Sequence, residues 1–589
     1  MREFFRIYFA SILATVTTFL LMGGLFVMFL FVVLAATDTT VVSVSENSVL
    51  HLTLNKPIVE RAHNNPLDDF DFGTLEVESK TGLNKLLNLI KRARTDSNIK
   101  GIFLDFDGIM AGFATHKEIR DALKDFKSSG KFVVAYSRNY TQGGYYVASV
   151  ADSVWLHPLG YVDNTGLSAN IMFIKGLLDK LELEPQIVRV GKFKSAIEPL
   201  TSKEMSKENE QQIKTLISSI WNVIVSEISA DRKISIERIN NSADSLSSFN
   251  ALNSKRIGFV DNILYDSDVD EQIKLLLKGE KPNFVTLEEY SNTPLSSEEE
   301  RMAGSSNAIA VVYADGEIVD GRSSEQQIIA SYNYIEAIKN ARENNKIKAI
   351  VVRVNSPGGS ALASEEIWYE LKKAKEKKPV IVSMGDYAAS GGYYISAPAD
   401  RIFANELTIT GSIGIFGVFF NIQKLFNNKL GITFDGVNTH KYSDFMSGNR
   451  PMSDYELGIV TNVIGDMYQV FLSRVSEGRN MSIGSVDSIG QGRVWTGADA
   501  RSINLVDSFG GLNDALKAAA KLAKINDYYI IELPHQKDWI TELSESLQMR
   551  LKTNTPVDSF VQMYNNIIAQ VYALASDYRQ ARLPFTFQQ

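Results

Sequence analysis

The chain has 589 residues, more than a single hydrophobic core usually organises, so two to four domains are expected. Apolar residues make up 44 % and charged residues 22 %, a balance that excludes a disordered chain. The formal net charge of -8 comes without a long basic run, which argues against nucleic acid as a partner, and the lack of cysteine excludes disulfides and thiolate chemistry.

A membrane-spanning helix is predicted near the amino terminus. Residues 7–36 carry no charge, and as a helix rising about 1.5 Å per residue they exceed a hydrocarbon core of roughly 30 Å. Arg2 and Arg6 precede the stretch and Asp38 follows it, so the positive-inside rule places the body outside the cytoplasm. The alternative is a cleavable signal peptide, whose apolar region is usually only about 7–15 residues long.

Strand and helix patterns alternate after a polar stalk. Residues 49–54, 99–106 and 131–136 have the pattern of strands. Residues 83–94 have helical spacing, and a second helix is predicted to open at residues 142–146. This alternation predicts parallel βαβ units.

The same order of motifs then recurs in the second half of the chain. Residues 143–146 and 391–394 both read Gly-Gly-Tyr-Tyr, at an offset of 248. Asp152 and Asp400 keep that offset. A nearly constant offset over a whole domain predicts two homologous α/β domains.

These patterns divide the chain into five predicted segments. They are a cytoplasmic tip with anchor and stalk (1–47), a first α/β repeat (48–265), a polar linker (266–306), a second α/β repeat (307–525) and a helical tail (526–589). In the tail, apolar residues recur at helical spacing between residues 557 and 571, which predicts an amphipathic helix that packs on the body or on a sister subunit.

Ser390 is the candidate nucleophile. It follows the strand-like run 379–384 and directly precedes Gly391, so its hydroxyl would be held where a buried strand turns into a helix. In the first copy the same position holds Gln142. The second copy alone can therefore supply a serine at this corner. The alternative is that small residues here merely let the helix pack closely on the sheet.

Comparison of the two copies also predicts a base. When their lysine-aromatic pairs are superposed, residues 190–195 align with residues 439–444, and Lys194 lies opposite Ser443. The first copy thus has a lysine where the second has none, and the second copy has a serine where the first has none. A serine hydroxyl needs a base, and a lysine can be one only as a neutral amine, which burial favours by lowering the pKa. The sequence therefore predicts one composite Ser–Lys site.

Candidate oxyanion-hole donors lie in a glycine-rich stretch after another strand. Residues 355–360 read Asn-Ser-Pro-Gly-Gly-Ser and follow a strand-like run. Their amides would emerge at the sheet edge where Ser390 emerges. The amide of Gly391, with that of Gly358 or Gly359, is predicted to stabilise the developing oxyanion.

Ser412 is a candidate for orienting the lysine amine, although the Gly-Ser pair that contains it is also typical of a plain turn.

Other candidate bases besides Lys194 stay open at this point. His440 and Lys441 lie beside the position that aligns with Lys194, while His157 and Lys192 are weaker alternatives. Neither the spacing of the histidines nor any phosphate-binding glycine loop points to a metal ion or a cofactor.

Four motifs together resemble those of the signal peptide peptidase A family in its long, duplicated form, also called protease IV. They are residues 194–199, 356–359, 389–393 and 410–414. The resemblance extends from the anchor to about residue 525 and does not include the tail.

The resemblance implies two tandem crotonase/Clp-like superhelical α/β domains and a membrane-anchored serine endopeptidase, with Ser390 as nucleophile and Lys194 as general base. It also implies a homotetramer on the outer face of the bacterial inner membrane that hydrolyses leader peptides and similar apolar peptides. Whether the dyad forms within one chain or between subunits stays open.

Two other functions are compatible with such a fold. A crotonase-type acyl-CoA enzyme shares the architecture, but coenzyme A is not expected outside the cytoplasm. An exported scaffold with a decayed site is the second alternative, since Gln142 already replaces a serine in one copy.

Overall fold

The computed structural model describes residues 2–36, 43–62, 70–71, 76–77, 80–323, 327–536 and 580–582. Helix α1 (Arg2–Ala36) is 35 residues long. Its stretch from Arg2 to Gly24 has a mean hydropathy of 1.7, and none of it is buried against the protein. The predicted apolar helix is therefore present, with the length and composition needed to cross a membrane.

The first half of the body is built around a six-stranded parallel sheet. The strands of the first half are β1 (Ser48–Leu52), β2 (Ile58–Val59), β3 (Phe70–Asp71), β4 (Glu76–Val77), β5 (Thr81–Gly82), β6 (Ile99–Asp105), β7 (Phe132–Ser137), β8 (Ser153–Leu156), β9 (Glu184–Arg189), β10 (Asn262–Ile263) and β11 (Asn283–Thr286). Six of them form the sheet in the order β10-β8-β7-β6-β1-β11. All five pairings are parallel, as the alternating pattern predicts.

Helices cover both faces of this sheet, so its strands are buried almost without interruption. The helices of the first half are α2 (Leu83–Thr95), α3 (Phe113–Lys127), α4 (Gln142–Ala148), α5 (Lys175–Leu181), α6 (Glu198–Thr201), α7 (Lys207–Arg232), α8 (Ile236–Ser245), α9 (Ala251–Ile257), α10 (Asp266–Leu276), α11 (Leu287–Ser291) and α12 (Ser297–Ala303), with a 3₁₀ turn at Ser195–Ile197.

The second half repeats the arrangement in a larger, mixed sheet. Its strands are β12 (Ala308–Val319), β13 (Ile328–Ala330), β14 (Ile347–Ser360), β15 (Val380–Ala389), β16 (Arg401–Ala404), β17 (Ile409–Gly411), β18 (Phe416–Asn421), β19 (Val494–Thr496), β20 (Ser508–Phe509), β21 (Tyr529–Leu533) and β22 (Gln580–Arg582). Its helices are α13 (Ser331–Glu343), α14 (Ala361–Lys375), α15 (Gly391–Ser396), α16 (Asp454–Arg479), α17 (Ile483–Ile489), α18 (Gly497–Ser502) and α19 (Leu512–Ala523), with a π-helical turn at Leu425–Leu430.

The two halves are joined by a shared sheet and a shared core. Strand β9 of the first half pairs antiparallel with β18 of the second along its whole length. Ala389, Ile409 and Val494 of the second half are buried in the apolar cluster that the first half forms. Because backbone and side-chain contacts both cross the boundary, side chains of the two halves are held at fixed positions relative to each other.

Equivalent hydrogen bonds confirm the internal repeat. The Tyr145 hydroxyl donates to a backbone carbonyl at 2.8 Å, and the Tyr393 hydroxyl donates to the matching carbonyl at 2.9 Å. Asp152 and Asp400 each accept a hydrogen bond, at 2.8 Å, from a backbone N–H at the start of the preceding strand. Both tyrosines are buried in the core of their half.

The predicted linker and tail contain regular structure. Residues 266–306 include α10 and β11, and β11 pairs with β1 at the edge of the first sheet. In the tail, β21 pairs with β12 of the second sheet. The amphipathic helix predicted between residues 557 and 571 lies outside the described residues. The exact limits of the five segments remain predictions.

A buried ion pair also links the halves. Arg353 on β14 is fully buried and donates to both carboxylate oxygens of Glu60, at 2.7 and 3.0 Å. It donates to Glu118 on α3 at 2.6 Å. Buried charges are tolerated only when they are paired in this way.

We expect Arg353→Met to lower the free energy of unfolding by about 3–5 kcal/mol, because two buried carboxylates lose their partner. Urea unfolding followed by circular dichroism measures this change. In the matched control, Arg322→Met breaks the exposed pair of Arg322 with Glu336 and should cost less than about 1 kcal/mol. Equal effects of the two substitutions on the free energy of unfolding would contradict the stabilising role of the buried Arg353 ion pairs.

Candidate active site

Ser390 lies at the predicted corner between strand and helix. Strand β15 ends at Ala389 and helix α15 begins at Gly391. The serine between them has φ 55° and ψ −112°, a strained backbone for a residue with a side chain. Its N–H donates to the carbonyl of Gly411 at 2.8 Å, and the residue is fully buried. Such a turn exposes a serine hydroxyl toward the residues that pack over the end of the sheet.

The glycines predicted to form the oxyanion hole surround this corner. A Cβ atom on Gly391 would lie 3.2 Å from Cα of Gly358 and 3.2 Å from N of Gly359. A Cβ on Gly391 would also lie 2.7 Å from Oγ of Ser364. The amide of Gly358 donates to Oγ of Ser356 at 3.2 Å. The glycine pair after β14 thus lies directly against the start of α15, and a side chain at position 391 would crowd it.

Lys194 reaches this corner from the first half of the same chain. It directly precedes the 3₁₀ turn Ser195–Ile197 and is fully buried. Its Nζ atom lies 2.7 Å from Oγ of Ser390. The same Nζ lies 3.0 Å from Oγ and 3.1 Å from the carbonyl oxygen of Ser412. Lys194 therefore contacts both serines predicted from sequence, within one chain.

Burial lowers the pKa of Lys194 well below its usual value, since an ammonium loses its hydration there. The ring of Phe416 lies 6.0 Å from Nζ and forms part of the apolar surroundings. A neutral amine has two N–H groups and one lone pair. Because Ser412 offers two acceptors, both N–H groups can donate to it, and the lone pair is left for the Ser390 hydroxyl.

A turn between α17 and β19 holds the lysine segment, and sequence reasoning missed it. The N–H of Phe193 donates to the carbonyl of Gln491 at 2.9 Å. A Cβ on Gly492, which has φ +77°, would lie 2.5 Å from Cβ of Lys194. The sequence signal was the pair of glycines at positions 490 and 492, which local patterns connect with a turn but not with a distant lysine.

The alternative bases lie elsewhere. His440 is exposed and hydrogen-bonds to neighbouring residues of its own segment. Lys441 and Lys192 are exposed, whereas Ser390 is fully buried. His157 packs edge-on against a tyrosine ring at the end of β8. Of the predicted bases, Lys194 is the one that the structure brings to the serine.

A short strand of the carboxyl-terminal region runs beside the corner. Residues 358–360 of β14 pair antiparallel with the whole of β22. Phe416 of β18 pairs with the first residue of β22, so this strand lies between β14 and β18. An extended chain thus fits between these two edges, next to Ser390.

Comparison with known proteins shows the family of this chain. The sequence profile of Peptidase family S49 matches residues 125–279 and 372–526, once in each half. The chain belongs to peptidase family S49. Protease 4 of Haemophilus influenzae is 38 % identical over 481 residues, which are 79 % of this chain and 77 % of that protein. The chloroplast serine protease SPPA of Arabidopsis thaliana is 32 % identical over 82 % of this chain and 70 % of that protein.

The S49 assignment confirms several expectations from sequence. The protein is a serine protease with two tandem α/β repeats after one apolar helix. The acyl-CoA alternative receives no support from these relatives. Among solved structures, a ClpP1 mutant from Listeria monocytogenes is similar over 35 % of this chain and 94 % of that chain, at 16 % identity and a TM-score of 0.24. A TM-score this low adds nothing to the S49 assignment.

We expect Gly492→Ala to reduce peptide hydrolysis by roughly 10- to 100-fold, because the added methyl would push Lys194 away from Ser390. Hydrolysis of a fluorogenic peptide measures the loss. Gly484→Ala is the control, since nothing lies within 4 Å of its Cβ position. Full activity of Gly492→Ala would show that the close contact does not fix the lysine.

Proposed function

We propose that this S49 serine protease is a membrane-anchored endopeptidase that uses a Ser390–Lys194 dyad on leader peptides and similar apolar peptides. The observation that carries the proposal is the 2.7 Å separation of Lys194 Nζ from Ser390 Oγ, between two fully buried residues 196 positions apart. In this proposal the first α/β repeat (48–265) supplies the base, and the second (307–525) supplies the nucleophile and the oxyanion hole.

Acylation begins when neutral Lys194 accepts the Ser390 proton while Oγ attacks the carbonyl carbon of the peptide bond. The carbonyl oxygen becomes an oxyanion, which accepts hydrogen bonds from the amide of Gly391 and from the amide of Gly358 or Gly359. The lysine ammonium then gives its proton to the leaving amine. The carbon–nitrogen bond breaks, and an acyl ester on Ser390 remains.

Deacylation reverses the roles of the same groups. Lys194 accepts a proton from a water molecule, whose oxygen attacks the acyl ester. The ammonium returns the proton to Ser390 Oγ as the acid product leaves. Ser412 supports both steps, because its hydroxyl and carbonyl orient the amine at 3.0 and 3.1 Å.

The substrate is proposed to bind as an added strand. The pairing of β22 with Gly358–Ser360 and with Phe416 supports this, because an extended segment occupies the place next to the serine. Main-chain hydrogen bonds then give affinity, while side-chain pockets give selectivity. Phe416 and its neighbours on β18 are proposed as an apolar wall of the cleft.

Leader peptides are proposed as substrates because the anchor and the substrate would share one compartment. Helix α1 would hold the site near the membrane in which apolar leader peptides reside. Arg2 and Arg6 before the span and Asp38 after it favour a catalytic body on the outer side of the bacterial inner membrane.

A homotetramer is the proposed assembly. Apolar side chains on one segment of the second half support it, since they are exposed in the single chain. They are Leu430, Ile432, Phe434 and Val437. The dyad itself needs no second subunit, because both of its members come from one chain.

Substitution of either dyad member tests the mechanism. Ser390→Ala and Lys194→Met should each lower kcat for an apolar leader-peptide substrate by at least about 10³-fold, because nucleophile and base act as one unit. Peptide hydrolysis measures the loss, and circular dichroism verifies the fold.

The matched controls are lysines that lie outside the site. Lys192→Met removes an exposed lysine two residues away, and Lys441→Met removes the rival base. Both should keep substantial activity, as should His440→Ala. An active Lys194→Met enzyme would refute the dyad.

The pH dependence follows from the burial of the base. Because the pKa of Lys194 is lowered, the amine is neutral above that pKa and an inactive ammonium below it. We expect kcat/KM to rise about tenfold per pH unit on the acidic limb and to level off above the lysine pKa. A flat acidic limb, measured with a substrate that does not titrate, would argue against lysine as the base.

A further inference from the structure

Gln212 is a buried polar residue that the reaction itself does not use. It lies on α7, on the face that also buries Asn209, Ile213 and Leu216. Its side chain is 1 % exposed. A buried amide is costly unless its donors and acceptor find partners, so its contacts indicate what it does.

The amide nitrogen of Gln212 contacts the chain on both sides of Lys194. Nε2 donates to the carbonyl of Phe193 at 3.1 Å and to Oγ of Ser195 at 2.9 Å. It also lies 3.1 Å from Oδ1 of Asn209, one turn earlier on the same helix. The residues immediately before and after Lys194 are thus tied to a single side chain of a 26-residue helix.

The amide oxygen of Gln212 contacts the other half of the protein. Oε1 accepts from the N–H of Val494 at 3.4 Å, in strand β19. The carbonyl of the preceding residue, Arg493, accepts from the N–H of Ser412 at 2.7 Å. One side chain therefore connects the segment that carries Lys194 with the segment that fixes Ser412.

The contacts of Gln212 affect the position of the Lys194 amine. Nζ is at the end of four methylene groups, and small shifts of the main chain at Lys194 move it relative to Ser390 Oγ. The main-chain N–H of Lys194 has only a long bond of 3.3 Å, to the carbonyl of Gly191. The hydrogen bonds of Gln212 to the two flanking residues supply the restraint that this bond does not.

We propose that Gln212 is a positioning residue for the peptidase reaction: it holds the main chain around Lys194 so that the amine meets Ser390 and Ser412. The proposal rests on the proposed dyad. Gln212 touches neither the substrate nor the reacting atoms. Its substitution should therefore affect kcat far more than KM.

The test compares Gln212→Met with Gln211→Met. Methionine keeps the length and approximate volume of glutamine but donates and accepts no strong hydrogen bond. Gln211 is the neighbouring glutamine on α7 and is exposed, so it controls for the substitution itself. Both full-length variants are assayed for kcat, KM and the acidic limb of the pH profile.

We expect Gln212→Met to lower kcat by roughly 10- to 100-fold with little change in KM. We also expect its acidic limb to move to higher pH, because a loosened lysine gains contact with water and its pKa rises toward the ordinary value. Gln211→Met should match the unsubstituted protein. A merely destabilised variant would lose activity equally at every pH.

Three outcomes would overturn the proposal: unchanged kcat in Gln212→Met, a fall in kcat with an unmoved acidic limb, or equal effects of the two substitutions. Should Gln212→Met not accumulate as folded protein, Gln212→Asn keeps the amide but shortens it by one methylene, and the same shift is expected. A failure of the proposed Ser390–Lys194 dyad can be distinguished from a failure of the Gln212 proposal, because Lys194→Met would then be active.

Discussion

The geometry of the candidate active site depends on keeping one lysine amine out of water. A lysine side chain is ordinarily an ammonium at neutral pH, and burial without a counter-charge is what disfavours that form. Lys194 is fully buried, and desolvation is the cause of its lowered pKa. Two acceptors on Ser412 and one hydroxyl on Ser390 satisfy the amine without supplying a carboxylate that would hold it charged.

Such burial requires protein on all sides of the amine, and the duplicated fold supplies it. The lysine segment belongs to the first half but is held by strand β18 and by the turn before β19, both from the second half. The shared cluster around Ala389, Ile409 and Val494 fixes the relative position of the halves. Divergence of the copies was therefore compatible with a single site, because each half needed only one member of the proposed pair.

Two serines of the candidate site have unusual backbone conformations. Ser390 and Ser412 both have positive φ, at 55° and 53°, although neither is glycine. Such conformations cost on the order of 1–3 kcal/mol each and persist only where neighbouring structure enforces them. Here hydrogen bonds from their own N–H groups, to Gly411 and Arg493, hold both residues. The two hydroxyls consequently face the lysine from fixed directions.

The sequence by itself determined the apolar helix and the two α/β repeats, and it singled out Ser390, Lys194 and Ser412 as candidate site residues. These predictions depend on information that is local, or that repeats at a constant offset: a charge-free run, strand-helix alternation, and differences between aligned copies. The differences between the two copies single out Ser390 and Lys194, since neither residue stands out in its own copy alone.

Only the tertiary structure decided that Lys194 meets Ser390 within one chain, that β9 joins the second sheet, and that Gln212 and Gly492 contact the lysine segment. These facts depend on how strands that are distant in sequence pair with each other. They also depend on which side chains come into contact when the core is packed. Local periodicity carries no information about either, because it specifies which face of an element is buried but not what that face is buried against.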